Sequence, residues 1–96
     1  MEPDFLDEMI AESTERNPNL PTLMEEARQR RALLEALASV REQARIPQRT
    51  VAEGMETSQP AVARMEAGTV DPRLSTLQRY AASVGKRLVW QIVDAE

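Results

Sequence analysis

The chain contains no cysteine and no histidine. Without cysteine there is no disulfide framework, no thiolate metal site and no thiol nucleophile. Without histidine the commonest general base and the commonest metal ligand are both missing. Carboxylates alone can do acid–base chemistry, but no Asp or Glu pair falls in an evident apolar pocket, and neither a Gly-rich phosphate loop nor a nucleophile elbow occurs. The expectation is a protein that is not an enzyme and carries no metal or cofactor. No apolar run approaches membrane-spanning length. The opening MEPDFLDE is acidic and lacks the basic and apolar regions of a signal peptide, so a cytoplasmic protein of bacterial or phage origin is expected, with no membrane partner. No internal repeat or low-complexity tract is visible.

What is present is enough for one small core: 96 residues make a compact domain with an extension. The net charge of −4 argues at first sight against nucleic acid, but its distribution reverses that reading. Residues 1–32 hold eight acids against four arginines, which is the whole deficit; the remainder balances eight bases against eight acids. Arg45, Arg49, Arg64 and Arg73 fall in or beside one short motif, where they can meet phosphate.

That motif is QRTVAEGMETSQPAVARMEAG, Gln48 to Gly68. Two short helical patterns are joined by a tight turn. Val51, Ala52 and Met55 define the buried face of the first, and Ala61, Val62 and Met65 that of the second. The opposite side of the second helix carries Gln59, Pro60, Ala63, Arg64 and Ala67. Small residues in the middle of that face permit close approach to a major groove, and the flanking planar groups suit base edges, Arg for guanine and Gln for adenine. On an isolated helix the same residues would be an ordinary solvated face. Ser58 is the natural N-cap; Pro60 has no N–H, which leaves the Ala61 amide as the cap's partner. Pro60 also disfavours helical geometry at Gln59, leaving the helix start open by one residue.

Around this motif the chain reads as helices and one strand. Asp4 caps a helix from about Phe5 to Arg16, with Phe5, Leu6, Met9 and Ile10 in an apolar stripe. Its stripe must dock on something, either its own domain or the twin subunit, or else a basic partner. Thr22 and Glu25 form a capping box opening a long helix, about Leu23 to Ala44, with apolar Ala27, Leu34, Leu37, Val40 and Ala44. A second such box, Ser75 to Gln78, opens a helix with inward Leu77, Ala81 and Val84 that stops at Gly85. Leu88, Trp90 and Ile92 then alternate with Val89, Gln91 and Val93, which is strand periodicity. A lone strand leaves its backbone groups unpaired, so this one must pair with a twin subunit or a partner, or fray.

Gln48, Ala52, Ser58-Gln59, Val62, Glu66 to Gly68 and Leu77 resemble the XRE-type, phage-repressor-like helix-turn-helix family over roughly Leu33 to Val84. Within it, the acidic leader, the long helix, the reader, the run DPRLSTLQRYA and the terminal strand are most similar to HigA-type antitoxins of toxin–antitoxin pairs. The resemblance implies an all-α helix-turn-helix bundle of the lambda-repressor-like DNA-binding fold, with an N-terminal helical extension and a short C-terminal β-strand. The expected division is residues 1–21 as acidic helix and linker, 22–85 as the helix-turn-helix domain, and 86–96 as the pairing strand. Arg41 and Glu66 match a structural ion pair of the family. Three positions depart from its pattern: Arg45 and Glu56 stand at usual Gly positions that need positive φ, and Pro47 replaces a Ser or Thr cap. Gly54, one turn early, offers another place for the bend.

The resulting expectation is a sequence-specific DNA-binding repressor and antitoxin that autoregulates its operon. Gln59, Pro60, Ala63 and Arg64 are expected at base edges, and Gln48, Arg49, Thr57, Ser58 and Arg73 at phosphates. A homodimer would place two reading helices ~34 Å apart on an inverted-repeat operator in double-stranded DNA. The toxin implied by the resemblance is a small basic ribonuclease of the HigB type, contacting Phe5 and Met9 or Leu88, Trp90 and Ile92. The rival readings are a stand-alone phage or plasmid repressor, and a protein-interaction scaffold that uses the same bundle without reading bases.

Overall fold

The computed structural model describes residues 20–94, and these form four helices and an extended tail. Helix α1 spans Leu20–Gln43, α2 Gln48–Met55, α3 Gln59–Ala67 and α4 Leu74–Ser83. The expected first helix with Phe5 and Met9, and most of the linker, lie outside the described residues.

The core is built from the faces that helical periodicity marks out. Leu34 and Leu37 from α1, Val51, Ala52 and Met55 from α2, Val62 and Met65 from α3, and Leu77, Tyr80 and Ala81 from α4 form one cluster. Leu33, Ile46, Val84 and Leu88 pack against its edge. At roughly 25 cal/mol per Å² of apolar surface removed from water, these side chains supply the main driving force for a bundle of this size. Only the second half of α1 takes part; Leu23 and Met24 near its start are about half exposed.

All four helices end in the same backbone device. Ile46 N–H donates to Arg41 O at 3.0 Å, Thr57 N–H to Ala52 O at 2.9 Å, Thr69 N–H to Arg64 O at 3.2 Å and Lys86 N–H to Ala81 O at 2.7 Å. Each bond spans five residues and requires the residue before its donor to be left-handed, the pattern of a Schellman cap. Those residues are Arg45 (φ 59°), Glu56 (φ 57°), Gly68 (φ 87°) and Gly85 (φ 77°). Two glycines meet the demand freely; Arg45 and Glu56 meet it at a cost of order 1–2 kcal/mol each. Gly54 does not relocate the bend. It is helical within α2, and a Cβ there would lie 3.0 Å from Ser83 Cβ, so its role is to admit α4.

Helix starts differ from the sequence-based expectation in two places. Thr22 and Glu25 both lie inside α1, so Thr22 caps nothing, and Ser75 is the second residue of α4, whose N-cap is Arg73 with no side-chain cap. A capping-box pattern specifies a start only where its first residue leaves helical geometry, and α4 begins at Leu74, two residues before the Thr76 start that a Ser75 cap would set. Ser58 behaves as its type suggests: it is extended (φ −97°, ψ 154°), and its Oγ accepts from Ala61 N–H at 3.2 Å. Gln59 is the first residue of α3, with Pro60 in its first turn. Pro47 stands before α2 in extended geometry and makes no side-chain cap.

The expected C-terminal strand is absent among the described residues. Residues 86–94 carry no regular secondary structure. Leu88 is tucked against the core, whereas Trp90 is 44% and Ile92 fully exposed. Alternation gives a segment two faces but no hydrogen-bonding edge, and the described residues supply no second strand to complete a ladder.

Candidate nucleic-acid interface

The turn between α2 and α3 holds α3 against the first helix of the pair. Val51 and Val62 are fully buried and Ala52 almost so, which allows the two short helices to cross closely. With Val62 and Met65 turned inward, Gln59, Pro60, Arg64 and Ala67 are left exposed and Ala63 partly so. Arg49 on α2, Thr57 and Ser58 in the turn, and Arg73 ahead of α4 are exposed as well.

Behind that face lies a polar network centred on Glu66. Arg41 grips its carboxylate with both ends of the guanidinium fork, Nε to Oε2 at 2.8 Å and a terminal nitrogen to Oε1 at 2.9 Å. Both side chains are only 11% exposed, so the pair is largely withdrawn from water. The remaining Arg41 nitrogen donates to Ile46 O at 2.9 Å, which ties the pair to the end of α1. Tyr80 Oη donates to Glu66 Oε2, and Gln48 Nε2 donates to Oε1 at 2.9 Å. Gln59 Nε2 in turn donates to Gln48 Oε1 at 2.7 Å.

The ionisation states follow from this bonding. Burial pushes the Glu66 carboxyl upward, but hydrogen bonds from Arg41, Tyr80 and Gln48 outweigh it and hold the group below the ordinary carboxylate range. The hydrogen bonds that Arg41 donates to Glu66 raise its own pKa, and burial together with the Glu66 carboxylate drives the Tyr80 phenol well above its usual value. The network therefore contains one anion, one cation and a neutral phenol near neutral pH, beside the uncharged amides of Gln48 and Gln59.

Gln48, Gln59, Arg41 and Glu66 are thus brought into one chain of hydrogen bonds. Arg49, Thr57, Ser58, Arg64 and Arg73 stay outside it, and Leu88, Trp90 and Ile92 belong to the tail. Tyr80 was missed by sequence reasoning, although its place three residues after Leu77 on the inward face of α4 was a usable signal. Arg31 was missed too: it donates to Met65 O at 3.1 Å and also to Val70 O, and nothing in its neighbourhood of the sequence marks it out. Among the described residues no cluster of acidic side chains is placed to hold a metal ion, and no helix is long and apolar enough to cross a membrane.

A four-helix bundle whose second and third helices are crossed through a capped turn, with an exposed Gln and Arg on the third, defines the helix-turn-helix class of DNA-binding proteins. The chain belongs to the helix-turn-helix family, whose profile matches residues 37–91. Among curated proteins it is similar to Antitoxin HigA1 of Mycobacterium tuberculosis, in strain H37Rv and in strain CDC 1551 / Oshkosh, with 39% identity over 85 residues in each case. The alignment takes in 88% of this chain, and the chain spans 57% of the length of the curated relatives it matches. No solved structure matches it.

Proposed function

We propose that the chain is a sequence-specific DNA-binding repressor and the antitoxin of a toxin–antitoxin pair, which binds an inverted-repeat operator as a homodimer and represses its own operon. The observation that carries this reading is the exposed face of α3 with its first residue already oriented. Gln59 spends one N–H on Gln48 and keeps its carbonyl oxygen and its second N–H for a ligand. Those two groups match adenine, whose N6 donates and whose N7 accepts. Arg64, one turn and a residue further on, offers the fork that suits guanine O6 and N7. Pro60 and Ala63 between them leave room for the groove floor. Arg49, Thr57, Ser58 and Arg73 meet phosphates on either side, and Gln48 does so with its second N–H while steadying Gln59.

The antitoxin half of the proposal rests on the likeness to Antitoxin HigA1 and on the acidity of residues 1–32. An acidic segment suits a small basic ribonuclease as its target, with Phe5 and Met9, or the exposed Trp90 and Ile92, providing apolar contact.

The test is fluorescence-anisotropy binding of the purified chain to its own upstream promoter region and to random DNA of equal length, across a salt series. The expected result is tight, sequence-dependent binding with a steep salt slope. Equally weak binding to both DNAs would overturn the repressor reading.

A further inference from the structure

Arg31 lies on α1 outside the residues matched by the helix-turn-helix profile, yet its guanidinium reaches the reading helix. One terminal nitrogen donates to Met65 O at 3.1 Å, and the other donates to Val70 O in the loop that follows α3. Met65 O belongs to the last turn of α3, where unsatisfied carbonyls make the helix end negative and a cation is favoured. Gly68 completes the seat. Its φ of 87° closes the helix, and a Cβ there would lie 3.2 Å from the Arg31 terminal nitrogen. Arg30 beside it forms a two-pronged pair with Asp71 in the same loop, at 2.9 and 3.4 Å.

From these contacts α1 holds α3 at two levels. Arg41 grips the side chain of Glu66, and Arg31, ten residues earlier on α1 and so ~15 Å along it, grips the backbone of the adjacent Met65 and of Val70. Burial of Val62 and Met65 seats α3 on the core, and the two polar anchors from α1 further constrain the tilt of its axis. A base-reading side chain displaced by ~1 Å loses its bidentate geometry, whereas phosphate contacts, made by long exposed arginines, tolerate such a shift.

We propose that Arg31 is a positioning residue for sequence readout: it makes no contact with DNA, and sets the tilt of α3 so that Gln59 and Arg64 meet base edges in register. The proposal rests on the base-reading role assigned to those two residues. It makes the first half of α1, which lies beyond the core-forming half, part of the specificity apparatus.

The experiment compares wild type, Arg31→Ala and Arg31→Lys for binding to the promoter fragment and to random DNA over a salt series, below the thermal unfolding midpoint of each variant. The expected result is that Arg31→Ala lowers the ratio of operator to random affinity by about tenfold while random binding and the salt slope stay unchanged. Arg31→Lys keeps the charge but lacks the planar fork, and is expected to lose specificity nearly as far. An unchanged ratio in both variants overturns the proposal. So does an equal loss on both DNAs with a salt slope reduced by about one, which would make Arg31 a phosphate contact. If Arg31→Ala fails to fold, Arg31→Lys decides alone by the same ratio. A wild type that shows no preference for the promoter overturns the base-reading assignment instead, and so separates the two failures.

Discussion

Gln59, the first residue of the reading helix, donates its side-chain amide to Gln48, the first residue of the helix before it, at 2.7 Å. The bond joins an exposed Gln59 to a half-buried Gln48 and lies outside the apolar core. Its effect is to select one rotamer and one amide orientation for Gln59 before DNA arrives, which reduces the ordering cost of binding. Because Gln48 is itself bonded to Glu66, this preorganisation is anchored in the buried ion pair.

A double-mutant cycle measures that coupling. Gln59→Ala and Gln48→Ala are each expected to weaken operator binding by ~1 kcal/mol or more, and the double variant by less than the sum, with a coupling of ~0.5–3 kcal/mol. Strict additivity in anisotropy titrations would show that the two amides act independently.

Arg64 and Arg49 are expected to separate base reading from phosphate binding. Arg64→Ala is expected to cost ~1–3 kcal/mol on the operator and to relax preference at one base pair. Arg49→Ala should weaken operator and random DNA alike and lower the salt slope by about one. Equal losses on both DNAs for both variants would sink this division of roles.

The Arg41–Glu66 pair is expected to contribute to stability through what its loss leaves behind. Glu66→Gln strands a largely buried guanidinium, and Arg41→Met strands the carboxylate, each at about 3–5 kcal/mol in denaturant unfolding. Replacing both together, Arg41→Met with Glu66→Leu, should recover much of that loss, because desolvation of both charges is then avoided. A double variant as unstable as the singles would mean that Tyr80 and Gln48 depend on the carboxylate more than Arg41 does.

The network around Glu66 predicts a pH dependence with two limbs. Glu66 is held below its ordinary value of 4.5, so its contribution is complete above that pH and is lost as pH falls through the depressed value. Tyr80 is raised above its ordinary 10.0, so its contribution is complete below pH 10.0 and fades as pH rises beyond it. Unfolding midpoints taken from about pH 7 down to about pH 3 should fall for wild type and fall less steeply for Glu66→Gln. Parallel acid limbs in the two proteins would assign the acid sensitivity to other carboxylates.

Glu56 and Gly54 invert what each residue type does best. Glu56→Gly relieves a left-handed φ of 57° and should leave stability unchanged or raise it by up to ~1 kcal/mol. Gly54→Ala gains ~1 kcal/mol of helix propensity, but sets a methyl 3.0 Å from Ser83 Cβ at a cost of ~1–3 kcal/mol. The net loss should disappear in a Ser83→Gly background, where thermal midpoints give the comparison directly.

Much of this architecture was legible because it follows from short-range rules. The inward residues Val51, Ala52 and Met55 of α2 and Val62 and Met65 of α3, the Ser58 cap and the stop at Gly85 each depend on periodicity or on a local backbone demand, and they stand where the pattern places them, whereas Ala61, expected on the same inward face, is only partly buried. The left-handed demand at positions 45 and 56 came through the family resemblance, because nothing about an Arg or a Glu announces a positive φ. The misreadings concern features whose outcome depends on neighbours far along the chain. Thr22 and Ser75 carry cap chemistry but sit inside helices, and Leu88 to Val93 carry strand alternation without a ladder to join.

The sequence by itself determined which faces are buried, where the turn falls and which residues remain available on the reading helix, since each depends on residues within a turn or two of one another. Only the tertiary structure decided that Gln48 and Gln59 share a bond, that Tyr80 closes the Glu66 network from α4, and that Arg31 reaches the end of α3 across 34 residues. Those contacts arise where long polar side chains from separate helices converge on one carbonyl or carboxylate. No local pattern encodes that convergence, because it is set by the crossing of helices whose packing is specified by the apolar core.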